Sequence, residues 1–126
     1  MFNKKFWISF VPAIIWFVII VVGSFISSSK VPSIGLSDKG IHFLFYTIFA
    51  FLLALPFRIN TKRAYSCVTT SVIVLLIGSS IGVLLELAQH FFVLGRFGEY
   101  LDALANTIGL IVGLILCEIL KRKSVL

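Results

Sequence analysis

The stretch ELAQHFFVLGRFGEYLDALANTIGLIVG, residues 86 to 113, decides how this chain folds. It places charged and amide side chains beside and inside apolar sequence that is long enough to cross a bilayer. A charged side chain in the hydrocarbon core costs roughly 3 kcal/mol, so such residues usually face the interior of a helix bundle or a water-filled cavity. The polar residues of this stretch are therefore candidate functional residues: Glu86, Gln89, His90, Asp102 and Asn106.

The composition of the chain is typical of an integral membrane protein. Of its 126 residues, 60% are hydrophobic and 13% are charged, and the mean hydropathy is +1.12. We expect one helical bundle and no separate soluble domain. The net charge of +6 comes from Lys and Arg in short clusters at the ends of apolar segments, a pattern that sets membrane orientation. We therefore expect no nucleic-acid partner.

Four apolar runs predict four transmembrane helices in a single domain, residues 1–126. The predicted helices cover about residues 6–28, 38–56, 64–93 and 100–120, close to the length of about 20 residues that crosses a bilayer core. The first run also has features of a signal peptide, but it is longer than the usual apolar core of one, which favours a retained helix. The predicted fold class is an all-α integral membrane bundle.

The distribution of Lys and Arg predicts that both the N and C termini are cytoplasmic. Positively charged segments tend to stay on the cytoplasmic side of the membrane. Of the 11 basic residues, Lys30, Lys39 and Arg96 lie on the side away from the termini. The others lie on the side of the termini: Lys4, Lys5, Arg58, Lys62, Arg63, Lys121, Arg122 and Lys123.

Two pairs of glycines predict close helix packing. Gly78 and Gly82 lie in the third predicted helix, and Gly109 and Gly113 lie in the fourth. Small residues spaced four apart form a flat strip along one helix face, which lets a neighbouring helix approach closely within a membrane. We interpret both pairs as packing features rather than as parts of a chemical site.

Alternating passes through the membrane bring polar residues from three helices to one end of the bundle. The second and fourth predicted helices begin on the side where the third one ends. Asp38, His42 and Tyr46 share one face of the second helix, because residues four apart lie one above the other. At a rise of 1.5 Å per residue, Glu86 of the third helix lies about 13 Å from Gly95 at the end of that helix, which is nearly halfway across an apolar core of about 30 Å. We therefore predict an outward-facing polar pocket that reaches toward the middle of the membrane.

Together these residues resemble the motifs of the VanZ-like family. The family pattern has Asp-Lys, a His three residues on and then a Tyr, followed by Glu-x-x-Gln, Gly-Arg, an Asp and an Asn with trailing glycines. The resemblance implies a multi-pass protein of the bacterial cytoplasmic (inner) membrane, and the name-giving member is associated with resistance to the glycopeptide teicoplanin. The matching residues are Asp38, Lys39, His42, Tyr46, Glu86, Gln89, Gly95, Arg96, Asp102, Asn106, Gly109 and Gly113.

One hypothesis is an enzyme that acts on a lipid or lipid-linked envelope molecule. His42 with Glu86 or Asp102 would act as acid and base, because imidazole exchanges a proton near neutral pH. Lys39 and Arg96 would hold an anionic head group. The full set expected to bind substrate is Asp38, Lys39, Tyr46, Gln89, Arg96 and Asn106.

Two other functions are open on the sequence alone. A non-catalytic binder or accessory protein would use the same pocket to alter envelope composition or to mask an antibiotic's target. Proton or ion movement is the third, although four helices without an internal repeat make a poor monomeric transporter.

His42, Glu86, His90 and Asp102 are of metal-ligating types, but no paired spacing typical of a zinc motif joins them. We predict no metal and no cofactor, and the oligomeric state is left open.

Each polar residue also has a purely structural explanation. Glu86 would pair with Arg96 and set the register of the helices. Gln89 and Asn106 would join helices by hydrogen bonds. Glu118, beside the basic cluster near the C terminus, is predicted to be a solvated charge at a helix end.

Overall fold

The computed structural model describes residues 4–26, 37–59, 65–93 and 99–123. Its helices are α1 (Lys4–Ile8), α2 (Val11–Ser24), α3 (Asp38–Ile59), α4 (Cys67–Phe92) and α5 (Tyr100–Arg122). Four segments are long and apolar enough to cross a membrane, namely α1 with α2, then α3, α4 and α5. The predicted all-α bundle of four transmembrane helices is thus confirmed for these residues. The cytoplasmic location of the termini stays a prediction.

The first membrane segment is interrupted at Ser9 and Phe10, where the sequence predicted one continuous helix. Pro12 stands in the first turn of α2. A proline lacks the backbone N–H and crowds the carbonyl four residues earlier, which here belongs to Ile8, the last residue of α1. The Phe10 amide instead donates to the Trp7 carbonyl at 3.2 Å. The position of the proline therefore explains the break.

Serine hydroxyls mark the beginnings of two helices. Ser37 Oγ accepts a hydrogen bond from the Gly40 amide at 3.2 Å, before α3. Ser66 Oγ accepts one from the Thr69 amide at 3.0 Å, before α4. Such caps satisfy amides that the first turn of a helix leaves without a backbone partner. They set where α3 and α4 begin along the chain.

The tightest helix contact joins α3 to α5 through the glycines of α5. A Cβ atom added to Gly109 would collide with the Phe43 carbonyl group, and one added to Gly113 would collide with the Thr47 carbonyl group. The two backbones therefore touch at a distance that only glycine allows. The predicted packing role of this glycine pair is confirmed.

The glycines of α4 receive side chains from its neighbours. A Cβ atom on Gly78 would collide with the Leu110 side chain of α5. A Cβ atom on Gly82 would lie 3.3 Å from Asn106 Nδ2 and 3.5 Å from the Tyr46 hydroxyl oxygen. The second glycine pair therefore also serves packing, and Gly82 leaves room for two of the predicted site residues.

The bundle exposes many apolar side chains and buries several polar ones. Many large hydrophobic residues are exposed, among them Val68 of α4 and Ile115 of α5. Four polar side chains of α4 and α5 that the sequence analysis selected are buried instead: Glu86, Gln89, Asp102 and Asn106. This distribution matches a bundle that faces lipid. α2 packs against α3, where Trp16 Nε1 donates to the Phe45 carbonyl at 2.9 Å.

Candidate functional site

Three helices contribute side chains to a buried polar contact near one end of the bundle. His42 Nδ1 lies 3.1 Å from Asn106 Oδ1 and 3.5 Å from Glu86 Oε1. The side chains of His42 and Glu86 are each 11% exposed, and Asn106 is 2% exposed. A protonated Nδ1 donates to the amide oxygen, which sets the ring orientation and leaves Nε2 as the other reactive nitrogen. The tertiary structure thus joins α3, α4 and α5 at His42.

A second group of charged residues lies where α3 and α5 begin. Lys39 Nζ forms an ion pair with Glu99 Oε2 at 2.8 Å. The same ammonium lies 3.9 Å from Asp102 Oδ1, beyond hydrogen-bonding distance. The Asp102 side chain is only 7% exposed, and its Oδ1 has no hydrogen-bond partner among the residues that the structure describes. Lys39 therefore joins α3 to the start of α5 mainly through Glu99.

The two groups meet at His42. Asp38, His42 and Asp102 each offer a donor atom, and these atoms lie within 4.8 Å of one another. Asp38 is exposed in the first turn of α3, whereas Asp102 is buried in the first turn of α5. An imidazole is thus flanked by two carboxyl groups from two different helices. The sequence analysis named His42, Glu86, His90 and Asp102 as residues of metal-ligating type. In the fold, Asp102 of α5 meets His42, and the third donor is Asp38, one turn before His42 on α3.

Tyr46 and Gln89 occupy the packed interior. Both are buried. The Tyr46 ring packs edge-on against Phe49 at a centroid distance of 6.4 Å, and its hydroxyl oxygen faces Gly82 of α4. Gln89 lies almost one turn beyond Glu86 on the same helix. The burial of Gln89 is compatible with its structural explanation, in which it joins helices, and Tyr46 fills the space that Gly82 leaves.

An open groove of about 320 Å³ runs between α4 and α5 beside the buried contact. Its volume is at the lower end of the range of about 300–1,000 Å³ for small-molecule sites. Glu86 belongs both to the groove lining and to the buried contact with His42. His90 is exposed and lines the groove. The complete lining is Val83, Glu86, Leu87, His90, Glu99, Tyr100 and Ala103.

The carboxyl groups of the chain are concentrated at this end. The chain has five Asp and Glu residues, and all except Glu118 belong to the contacts described above. Lys39 is paired with Glu99, a residue that the sequence analysis did not select. The sequence did contain a signal for this ion pair. Glu99 directly precedes α5, and Lys39 lies at the start of α3, on the same side of the bundle. The described part of this region is therefore acidic, despite the basic character of the whole chain.

Two residues of the family motif, Gly95 and Arg96, lie outside the part of the chain that the structure describes. The expected pairing of Arg96 with Glu86, and its contact with a head group, stay predictions. The expected contact of Lys39 with a head group also stays a prediction, and any such ligand would compete with the ion pair to Glu99.

The remaining carboxylate, Glu118, is not the solvated charge that the sequence predicted. Its oxygens pair with Arg58 Nη2 and, at 3.1 Å, with Arg122 Nε. The Arg58 side chain is 9% exposed and also donates to the Tyr65 carbonyl. The prediction was wrong because it considered only the neighbours of Glu118 in the sequence. In the fold, Glu118 faces α3 and meets a buried guanidinium.

Nearly the whole chain matches a known protein family. A model of the VanZ/LLP1 family matches residues 4–121. The matched region contains every residue of the contacts described above except Arg122. Searches of curated proteins and of solved structures found no match.

Proposed function

The chain belongs to the VanZ/LLP1 family, and on that premise we propose that it binds a lipid or lipid-linked envelope molecule at the acidic end of its bundle. The four apolar segments make it a multi-pass membrane protein. The resemblance to VanZ-like proteins implies a bacterial cytoplasmic membrane and an association with teicoplanin resistance. A protein in that location meets lipids and lipid-linked precursors of the cell envelope.

The observation that carries the proposal is that Glu86 belongs both to the groove and to the buried contact with His42. A polar contact in the interior of a membrane bundle is expensive to bury unless its groups are paired. The groove brings part of this contact to the surface of the bundle between α4 and α5. A ligand in the groove would therefore reach ionisable groups while remaining beside lipid.

The lining of the groove suits an amphipathic ligand. Val83 and Leu87 supply an apolar wall on α4, and the exposed Tyr100 stands at the start of α5. Tyrosine is common at the level of lipid head groups, because its ring is apolar and its hydroxyl is polar. Glu86 and Glu99 offer hydrogen-bond acceptors to hydroxyl, amide or ammonium groups of a head group. An acyl chain would follow the apolar wall.

Photocrosslinking in living cells tests this proposal. A benzophenone amino acid at Tyr100 would capture whatever occupies the groove, and mass spectrometry would identify the adduct. The matched control is the same amino acid at Ile119, which lines a groove of about 290 Å³ at the opposite end of α4 and α5. We expect a defined envelope lipid at Tyr100, bulk phospholipid at Ile119, and loss of the defined adduct in Glu86→Gln. The same lipid mixture at both positions would reject the proposal.

A second candidate function is catalysis at the same site. It is favoured by the 3.5 Å approach of Glu86 to His42, since a carboxylate beside an imidazole is a common acid and base arrangement. His42 would transfer the proton and Glu86 would orient the ring. Lipid and precursor profiles of cells that make the natural protein, His42→Ala or Glu86→Gln distinguish the two functions. A product that disappears in folded variants supports catalysis. Unchanged profiles with retained teicoplanin protection support binding alone.

A further inference from the structure

We propose that Asp38, His42 and Asp102 form a binding site for a divalent transition-metal ion. The donor atoms of these three residues lie within 4.8 Å of one another. Asp38 and His42 lie one turn apart at the beginning of α3, and the packing of α5 against α3 brings Asp102 to them. The site is separate from the groove between α4 and α5, whose lining includes none of the three.

The spacing of the donor atoms is suitable for a metal ion. Metal–oxygen and metal–nitrogen distances are about 2.0–2.2 Å, so ligands on opposite sides of an ion lie about 4 Å apart. Donor atoms within 4.8 Å therefore need only small side-chain rotations to reach one ion. Three protein ligands would leave further positions for water or another ligand, as in metal sites that remain open.

The buried carboxylate of Asp102 is evidence for a ligand that does not depend on the spacing of the donor atoms. Its side chain is 7% exposed, and its Oδ1 has no hydrogen-bond partner among the described residues. A buried carboxylate oxygen without a hydrogen bond is costly. Lys39 does not satisfy it, because its ammonium is 3.9 Å away and is held by Glu99 at 2.8 Å. A cation between Asp102 and His42 would compensate for this oxygen.

The surroundings of His42 are those expected of a metal-binding histidine. Such histidines usually donate the other ring N–H to a carboxylate or an amide oxygen, which sets the tautomer and the ring orientation. His42 Nδ1 is 3.1 Å from Asn106 Oδ1 and 3.5 Å from Glu86 Oε1. The nitrogen that remains for a metal is Nε2. Asn106 and Glu86 would thus orient the imidazole without contacting the ion.

The donor set indicates the class of metal. Carboxylate oxygens are ligands for Mg²⁺, Ca²⁺ and Mn²⁺, whereas imidazole nitrogen favours the transition metals. Two carboxylates with one imidazole therefore suit Mn²⁺ or Zn²⁺ better than Mg²⁺ or Ca²⁺. The absence of a thiol in the set argues against a structural zinc site of the cysteine type. The metal site stands independently of whether the protein binds a lipid.

Equilibrium binding of Mn²⁺ and Zn²⁺ to the full chain in detergent micelles tests the site. The chain should carry an affinity tag without histidine and be stripped with a chelator first. We expect about one ion per chain and a loss of affinity of more than about 10-fold in Asp38→Asn or Asp102→Asn, as ligand removal exceeds the effect of removing a supporting residue. The matched control is His90→Gln, which removes an exposed histidine outside the proposed set and should change affinity less than about 3-fold. Equal losses in Asp102→Asn and His90→Gln would indicate non-specific coordination and overturn the proposal, as would no stoichiometric binding.

A spectroscopic measurement avoids variants of the site itself. The chain has two histidines, and bound Mn²⁺ reports a coordinated imidazole through coupling to the ¹⁴N nucleus in pulsed electron paramagnetic resonance. We expect this coupling in the natural protein and, unchanged, in His90→Gln, because His90 lies outside the proposed set. Absence of the coupling in the natural protein, or its loss in His90→Gln, would contradict the assignment to His42.

Discussion

Asn106 shows what a single buried amide does in this bundle. It lies on α5, contacts His42 on α3, and its amide nitrogen faces Gly82 on α4. An amide inside a membrane bundle stabilises the fold when it bonds to another helix, although measured gains are small. Its neighbour Thr107 bonds instead to the Ala103 carbonyl of its own helix at 2.9 Å. The two residues allow an interhelical polar contact to be compared with a local one.

Asn106→Leu should lower the free energy of unfolding in mixed micelles by about 1–2 kcal/mol, because His42 loses a buried partner. Thr107→Val should lower it by less than about 0.5 kcal/mol, because its hydroxyl bonds within α5. Denaturation by sodium dodecyl sulfate, followed by circular dichroism, measures both. Equal effects of the two substitutions would show that the His42 contact adds nothing to stability.

Glu118→Ala should destabilise the protein by about 3 kcal/mol, because it leaves the guanidinium of Arg58 buried without its carboxylate. Arg122→Ala removes the other partner of Glu118, but the Arg122 side chain is 76% exposed. This second substitution should change stability by less than about 0.5 kcal/mol. The same denaturation experiment separates them, and a small effect of Glu118→Ala would mean that Arg58 finds another partner or reaches solvent.

At the scale of helices, the glycines of α5 decide how close α3 can come. The contact at Gly109 is backbone against backbone, so no side chain can rotate away to relieve a clash. His42 and Phe43 are adjacent on α3, and Asn106 precedes Gly109 by one turn on α5. The glycine contact therefore also sets the distance across which His42 meets Asn106. Packing and site geometry are coupled in this pair of helices.

Gly109→Ala should destabilise the bundle by about 2 kcal/mol, within the range for overpacked cores. The matched control is Gly23→Ala in α2, where the added methyl group would lie 3.7 Å from the Phe45 ring, an ordinary contact. That variant should be neutral or slightly more stable, since alanine favours helix over glycine. Thermal unfolding in detergent compares the two. A neutral Gly109→Ala would mean that α3 and α5 are farther apart than described.

At the scale of the whole molecule, opposite charges collect at opposite ends of the bundle. Four of the five carboxylates lie at the end formed by the starts of α3 and α5. Among the described residues, the end that carries the termini holds Lys4, Lys5, Arg58, Lys121, Arg122 and Lys123. The positive end should face the cytoplasm, where Lys and Arg are retained during insertion. The acidic end would then face outward, where envelope molecules and external cations are available.

Fusions at the C terminus test this orientation. Green fluorescent protein folds and fluoresces in the cytoplasm, whereas alkaline phosphatase becomes active only outside it. We therefore expect fluorescence from the first fusion and no activity from the second, because the sequence predicts that eight of the 11 basic residues lie on the side of the termini. An active phosphatase with a dark fluorescent fusion would reverse the orientation. The contacts among His42, Glu86 and Asn106 would be unaffected, but the ligand would have to come from the cytoplasm.

The sequence identifies the residues of the site more readily than the contacts between them. A charged residue within or beside an apolar run is visible in the sequence, so Glu86 and Asp102 could be selected directly. The partners of these residues were not visible, because they lie on other helices at a rotation that the sequence does not specify. Glu99 was missed for this reason, and Glu118 was assigned to solvent although it faces Arg58.

The sequence by itself determined that this chain is a helical membrane bundle, because apolar runs of that length have no other stable location. It also determined that polar residues from alternate passes meet at one end, since the direction of each helix follows from the number of crossings. Only the tertiary structure decided which of those residues touch. Contact depends on helix rotation and depth to within a few ångström, and these are set by packing at Gly109, Gly113 and Gly82. That packing brings Asp102 of α5 to His42 of α3, 60 residues earlier in the chain, where Asp38 lies one turn away on the same helix.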